Sequence, residues 1–462
     1  MLKLAFDRLA FYLLILKDVP NSFWYILITI EVKIMNNFNP HLDLKEFDLN
    51  GEIYILDPLD LELFHIHSNE ETNLLYNNVI LKKRENVKIV PRITFEKSNR
   101  TINTVSLDIS HGCTLRCRYC YLSAGYHKKE MMSKEQFLKI LKFLATEREH
   151  NIIFYFAGEG EPTLNSKLLM EIPRLCREQG FKKCQYEVTT NGTLLTPSLI
   201  DFFEKEKFSI SISLDGDEQD DCDRVFLNGT PSFPTVIKKV FALKKTQINF
   251  ACKSTIAPEC SDIRRMFCFF EDNEIPFYHG FATRAFDKSY VPKIEDVYAN
   301  LKPQFCLLVD YYVQRIKENK YIYARKIIED IKRIQNRSTS FTGCSAGINS
   351  FYFNLNGEIY VCSSHNSCKE LCVGNIKNGI DYDKIKRLNY YPKEVDQYDK
   401  CKECWLRHLC SGSCIAAKWL ESKDTTIPSK YHCAVSEVYW EAIIKIFIQI
   451  YPYIKNNINF CD

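Results

Sequence analysis

The chain predicts an α/β fold, a parallel sheet or partly closed barrel of six strand–helix units followed by a smaller cysteine-rich region. Three observations carry this. Between residues 100 and 293, short apolar runs alternate with amphipathic helical stretches. The helical stretches carry readable start and stop signals. From Cys344 to Cys433 long apolar runs disappear and cysteines crowd together, a composition that folds around metal.

The strands are expected at Thr104–Ile109, Ile152–Phe156, Gln185–Thr189, Phe208–Leu214, Ile248–Ile256 and Pro276–Gly280. Ser133 with Gln136 forms a capping box that opens one helix. Gly180 closes a helix begun near Asn165, and Thr196 caps another with Pro197 at its first position. Beyond residue 294 no further strands are expected. Helical stretches at 294–318 and 321–336 lead into the cysteine-rich segment, and an apolar helix, Val435–Ile454, ends the pattern. The expected organisation is an N-terminal extension at 1–34, a lead-in at 35–99, a core at 100–293, a helical linker at 294–340, the cysteine-rich domain at 341–434 and a terminal helix at 435–462.

With 462 residues, 46% hydrophobic and 26% charged, the chain can bury a full core. Its net charge of +3, from 61 basic and 58 acidic residues, gives no basis for a nucleic-acid partner. Twenty cysteines in a long chain without a secretory signal point to metal thiolates in a reducing, cytoplasmic compartment. Residues 1–34 hold two apolar stretches, Leu9–Leu16 and Val19–Ile30, separated by Lys17 and Asp18 and interrupted by Pro20. Each is shorter than the ~20 residues of a membrane helix, so stable insertion is not expected. Either Met35 is the initiator, or the extension lies amphipathically on a membrane surface.

The chemistry is concentrated in SLDISHGCTLRCRYCYL, directly after the first core strand. Cys113-x3-Cys117-x2-Cys120 offers three thiolates on one loop, where structural zinc would want four. Three thiolates suit three irons of a [4Fe–4S] cube, leaving the fourth iron open to a chelating ligand. Spacing, placement and Tyr119 before the third cysteine resemble the radical S-adenosylmethionine (SAM) superfamily. The segment Gly158-Glu159-Gly160-Glu161-Pro162 resembles that family's GGEP motif, departing from it by Glu159 between the glycines. Thr189–Gly192 and Ser213–Gly216 end later strands, and Arg224 follows in DRVFLNG. The resemblance implies a partial (β/α)6 radical SAM barrel. It also implies SAM contacts from Tyr119, Gly158, Gly160, Glu161, Asn191, Ser213 and Arg224. In it the methionine ammonium is received at the GEGEP loop, with Glu161 favoured over Glu159, and the carboxylate pairs with Arg224. The implied activity is reductive SAM cleavage to a 5′-deoxyadenosyl radical that abstracts hydrogen, with no acid–base triad required.

The second constellation is Cys344, then Gly357-x4-Cys362, then Cys401-x2-Cys404-x5-Cys410-x3-Cys414, then Cys433. This resembles the SPASM domain, and the resemblance implies two auxiliary [4Fe–4S] clusters. One would be held by Cys401, Cys404, Cys410 and Cys433, the other by Cys344, Cys362 and Cys414. The latter is one ligand short: Cys368 or Cys372 completes it, or an iron stays open to a substrate thiolate. A structural zinc ribbon is the plainer alternative for this segment. Cys176, Cys184, Cys222, Cys252, Cys260, Cys268, Cys306 and Cys461 read mostly as small buried hydrophobes. His111, Trp405 and His408 read as packing or supporting groups beside the clusters.

The resemblance to SPASM enzymes implies a peptide or protein substrate and a reductant such as flavodoxin or ferredoxin. The expected product is a thioether or carbon–carbon crosslink in a ribosomally made precursor. Formylglycine-type sulfatase maturation is expected less, because a long lead-in precedes the core and Ser363–Ser364, not aspartate, follow Cys362. Small-metabolite modification and a non-catalytic electron relay are further alternatives. Residues 42–66 predict two strands around an Asn50–Gly51 turn and then a short helix. This stretch resembles a leader-peptide-binding domain, and a plain structural lead-in is the alternative.

Overall fold

The computed structural model describes residues 44–58, 61–66, 101–126, 128–146, 151–285, 288–340, 343–366, 368–391 and 393–454. The extension at 1–34, Met35, most of the lead-in and Cys461 lie outside these residues.

A three-stranded antiparallel sheet comes first: β1 (Lys45–Leu49), β2 (Glu52–Asp57) and β3 (Glu62–Ile66). Asn50 and Gly51, at φ 58° and 83°, make the expected turn between β1 and β2. The expected short helix is instead β3. Its sequence ELFHI is rich in aromatic and branched residues, which favour a half-buried strand over a helical turn. Lys45 pairs with Glu441 at 2.9 Å and Phe47 meets Trp405 edge-on, so this sheet docks on the C-terminal part of the chain.

All six core strands form, as β4 (Thr104–Leu107), β7 (Ile153–Phe156), β8 (Gln185–Thr190), β9 (Ser209–Ser213), β10 (Phe250–Ile256) and β11 (Phe277–Phe281). A minor ladder pairs β5 (Ser110–His111) with β6 (Glu130–Met131). The six pair in parallel in the order β11-β10-β9-β8-β7-β4. Between them run α1 (Lys134–Leu144), α2 (Ser166–Glu178), α3 (Pro197–Lys205), α4 (Phe233–Leu243) and α5 (Ile263–Asp272). The Ser133–Gln136 capping box and the Thr196 cap are both present. Strand alternation explains the layers. Phe154 and Phe156, Val188, and Ile210 and Ile212 are buried in the apolar core, where Phe154 meets Phe137 of α1. The intervening polar residues turn to the barrel interior.

Beyond residue 294 the strands do not stop, contrary to expectation. After α6 (Lys302–Lys317) and α7 (Arg325–Gln335) come β12 (Ser350–Phe353), β13 (Glu358–Tyr360), β14 (Gly374–Asn375) and β15 (Gly379–Ile380). β12 pairs in parallel with β4, and the other three add antiparallel, making a ten-stranded sheet. These strands are only two to four residues long, too short for an alternation to be read. The segment SFYF of β12 is nonetheless apolar enough to cover the edge of β4. Short helices α8 (Tyr382–Arg387) and α9 (Ile415–Ser422) precede α10 (Lys430–Ile454), which packs against α6 and α7. Among the described residues no helix is long and apolar enough to cross a membrane.

Candidate active site

The loop after β4 places Cys113, Cys117 and Cys120 on the wall of a cavity of about 430 Å³ at the C-terminal ends of the parallel strands. The loop is fixed by backbone contacts: Arg116 N–H donates to the Val225 carbonyl at 2.7 Å, and Glu161 N–H to that of Gly112 at 2.9 Å. Gly112 and Gly160 form a parallel bridge so close that a Cβ on Gly160 would collide with the Ser110 carbonyl oxygen. A Cβ on Gly158 would sit 2.9 Å from Oδ1 of Asp108. Gly160 is therefore required by close approach of two backbones, and Gly158 by the Asp108 side chain packed against it.

The three cysteines form no disulfide, and donors face the sulfurs of Cys113 and Cys120. Leu115 N–H faces Sγ of Cys113 at 3.4 Å, Ala124 N–H faces Sγ of Cys120 at 3.4 Å, and Asn191 Nδ2 faces Sγ of Cys113 at 3.3 Å. Burial pushes the free thiol of Cys113 up and that of Cys117 up to about 12. Three convergent thiols with donors to sulfur, beside a cavity large enough for a nucleoside-sized ligand, fit a thiolate-held cluster and its cofactor.

Tyr119, Gly158, Gly160, Glu161, Asn191, Ser213 and Arg224 all border this cavity. The Glu161 carboxylate is buried and ties three segments together. Its Oε1 accepts from Thr163 N–H at 3.1 Å, Thr163 Oγ1 at 2.6 Å and Thr190 Oγ1 at 2.6 Å, and its Oε2 accepts from Asn191 N–H at 2.7 Å. Oε2 keeps one acceptor position. Burial raises this carboxyl's pKa while those donors oppose the shift. Arg224 is buried, donates to the Tyr119 hydroxyl at 2.9 Å, and has Asp215 and Asp221 within 3.8 and 3.7 Å. Tyr119 in turn hydrogen-bonds Asp215. Burial raises both carboxyls and the Arg224 charge opposes it.

The second set of cysteines falls into two groups. Cys401, Cys404 and Cys410 each add to the rise in the Cys433 thiol, which burial takes to about 12. Burial would also raise Cys410, but the hydrogen bond and charge of His432 hold it at about 7. Cys414 and Cys344 likewise act on Cys362, which burial raises to about 11. Cys368 Sγ donates to Glu370 at 3.0 Å and Cys372 Sγ to the Gly374 carbonyl at 3.2 Å. Cys414 lines a small recess with Ser364, Tyr431 and His432, and Thr283 borders both this recess and the main cavity. Of the scattered cysteines among the described residues, only Cys176 and Cys252 are fully buried, whereas Cys222, Cys260 and Cys306 are exposed. The expectation of mostly buried thiols is corrected, because on an amphipathic surface element a cysteine can face either way.

Sequence reasoning missed a polar group inside the barrel. Lys253 Nζ donates to the Tyr155 hydroxyl at 2.7 Å, and that hydroxyl shares a 2.6 Å bond with Thr189. The signal was present: Lys253 is the single charged residue of FACKSTI, at an alternating position. Tyr121 was also missed; it borders the cavity and feels both Cys120 and Cys362.

Residues 107–257 match the radical SAM superfamily. Over 370 residues the chain is 24% identical to a cysteine-type anaerobic sulfatase-maturating enzyme of Clostridium perfringens, covering 75% of this chain and 97% of the other. The solved structure of native anSMEcpe with bound AdoMet superposes with a TM-score of 0.65 at 20% identity, over 76% of this chain and 99% of that one. Streptococcus suis SuiB bound to its precursor peptide SuiA superposes with a TM-score of 0.52 at 16% identity, over 85% and 98%. These two structural likenesses are likenesses of fold.

Proposed function

We propose that this chain, a radical SAM enzyme by the match of its barrel and the cluster loop within it, modifies a peptide or protein substrate. Bound there, a [4Fe–4S] cluster and SAM supply a primary alkyl radical able to take hydrogen from an unactivated C–H bond. Cys113, Cys117 and Cys120 hold the cluster. The GEGEP loop, with the free acceptor position of Glu161 Oε2, receives the ammonium group. Asn191, Ser213 and Arg224 border the ribose and carboxylate, and Tyr119 orients Arg224. The buried walls keep water from the reacting atoms.

The observation that supports a peptide-sized substrate is that one residue, Thr283, lines both the main cavity and the Cys414 recess. A side chain lying in the cavity can reach the cysteines of the SPASM-like segment. In this reading Cys401, Cys404, Cys410 and Cys433 hold one auxiliary cluster, and Cys344, Cys362 and Cys414 hold another with an open iron. The local bonds of Cys368 and Cys372 support that opening. A flavodoxin- or ferredoxin-like reductant in the cytoplasm completes the system.

Two products fit this site. Crosslinking in a ribosomal precursor is supported by the open-iron reading. Formylglycine formation is supported as well by the near-complete alignment with a cysteine-type sulfatase-maturating enzyme. The preference against maturation drawn from Ser363 and the long lead-in therefore gives way to an even choice. Anaerobically reconstituted enzyme, SAM and dithionite, with a Cys-containing sulfatase peptide in one arm and a Cys-rich precursor in the other, separates them by mass spectrometry. Loss of two hydrogens with sulfur retained marks a crosslink, whereas loss of sulfur and two hydrogens with gain of one oxygen marks maturation. SAM cleavage absent under dithionite removes both.

A further inference from the structure

A second cation stands at the floor of the main cavity, apart from the cluster loop and from Arg224. Lys253 and Thr255 are the two half-buried residues of β10, so both side chains turn inward, and Thr255 lines the cavity. Lys253 stands beside Ser213 of β9 in the parallel register, and Ser213 lines the cavity as well. From there Nζ of Lys253 reaches the Tyr155 hydroxyl at 2.7 Å and Oγ1 of Thr189, another lining residue, at 3.4 Å. Tyr155 and Thr189 share a bond of 2.6 Å.

We propose that Lys253, held in place by Tyr155 and Thr189, binds a carboxylate of the substrate, so that the enzyme selects peptides with an acidic residue close to the one it modifies. This specificity rests on the reading of a peptide substrate.

Two observations point to an anion. The first is charge. Arg224, the other cation at this cavity, has Asp215 and Asp221 within 3.8 and 3.7 Å. Among the described residues no carboxylate pairs with Lys253, although Glu187 lies on the same face of β8 two residues before Thr189. A charge withdrawn into a barrel interior ordinarily has a partner, and salt screens it little there. The second is the count of protons. An ammonium with three protons and two hydroxyls with one each make only three bonds among themselves. Whichever hydroxyl donates in the Tyr155–Thr189 bond, one N–H and one O–H are left without an acceptor among the described residues. An N–H and an O–H side by side suit the two oxygens of a carboxylate, and bonds to a charged acceptor are the stronger kind. The ammonium is a compact charge on a flexible stem, so it can meet either Asp or Glu.

The test uses the cluster-loaded full-length chain with SAM under anaerobic conditions. The probe is a library of short peptides, amidated at the C-terminus, with Cys at a fixed position and random flanks. Peptides retained by the enzyme are identified by mass spectrometry. Wild type is expected to retain Asp- and Glu-containing peptides roughly tenfold over their Asn and Gln counterparts. Lys253→Met is expected to lose that ratio and Lys253→Arg to keep most of it, whereas Lys139→Met, on the exposed face of α1, leaves it unchanged. Lys253→Gln repeats the test should Lys253→Met lose its iron. A merely structural lysine would weaken all peptides alike and leave the ratio standing. No acidic preference in wild type, or the same preference in Lys253→Met, overturns the proposal. Equilibrium dialysis with SAM separates the other source of a carboxylate. Loss of SAM affinity in Lys253→Met with the peptide ratio unchanged assigns the lysine to the cofactor and overturns the proposal. A wild type that cleaves SAM but retains no peptide removes the peptide reading, and this specificity with it.

Discussion

Replacing Gly160 by alanine should break the site through the backbone alone. The new Cβ would collide with the Ser110 carbonyl oxygen and lie 2.7 Å from that of Gly112, whereas real Cβ atoms stay beyond 3.0 Å of such neighbours. Neither obstacle is a flexible side chain, so the two loops must part by roughly an ångström, at about 1–3 kcal/mol for overpacking. The 2.9 Å bond from Glu161 N–H to Gly112 crosses the same gap, and its loss adds about 1 kcal/mol. The total of about 2–4 kcal/mol is a large share of the ~5–15 kcal/mol that holds a domain together. Because Gly112 precedes Cys113, the cluster loop moves with it. Anaerobic urea unfolding and iron analysis measure both effects. Gly280→Ala, whose Cβ meets nothing within 4 Å, is the control and should unfold like wild type. If Gly160→Ala keeps its full iron and unfolds within about 0.5 kcal/mol of that control, the close-approach argument is wrong.

Four further outcomes are expected. Replacing Cys113, Cys117 and Cys120 together with Ala should remove about a third of the iron and all SAM cleavage, read by iron assay and chromatography of the nucleoside product. Cys368→Ala and Cys372→Ala should each keep full iron content, and loss of a cluster in either would make that cysteine a ligand. Arg224→Ala strands Asp215 and Asp221 without a counter-charge and should cost about 3–5 kcal/mol in urea unfolding, with Arg224→Lys recovering part of it. His279 is buried among Phe267, Phe281 and Tyr439, and burial holds its pKa at about 3, below the 6.5 of a free imidazole. The unfolded chain therefore takes up the proton first as pH falls below 6.5, and stability drops by about 2 kcal/mol between neutral pH and pH 5. His279→Phe should flatten that slope in urea midpoints taken across this range.

The barrel was legible because its signals are local and redundant. Short apolar runs alternate with amphipathic helices from Thr104 to Phe281, and caps such as Ser133 and Thr196 state their own boundaries. The meeting of Cys113, Cys117 and Cys120 on one cavity wall was legible because their spacing is short and all three lie on one loop. What escaped depends on pairing across distance. The strands after residue 294 are stabilised by β4, not by their own pattern, and β3 is decided by its ladder with β2. The grouping of Asp108, His111 and Glu159 draws on two loops that only the parallel pairing of β4 with β7 brings together. Lys253 was readable in principle, as a charge standing alone in an apolar strand, and was passed over because it belongs to no motif.

The parallel pairing of β4 with β12 also orders events during synthesis. Thr104 waits for Ser350 before that edge of its strand is covered. At ~5–20 residues added per second, the wait is on the order of tens of seconds. For that interval the strand leading into the cysteine loop presents an unpaired row of amides and carbonyls beside a half-built barrel, a ready template for pairing with another nascent chain. A chain cut after residue 340 would carry this bare edge permanently. Shortened versions that keep Cys113, Cys117 and Cys120 should therefore precipitate, and productive expression should depend on slow, uncrowded synthesis through to the last helix.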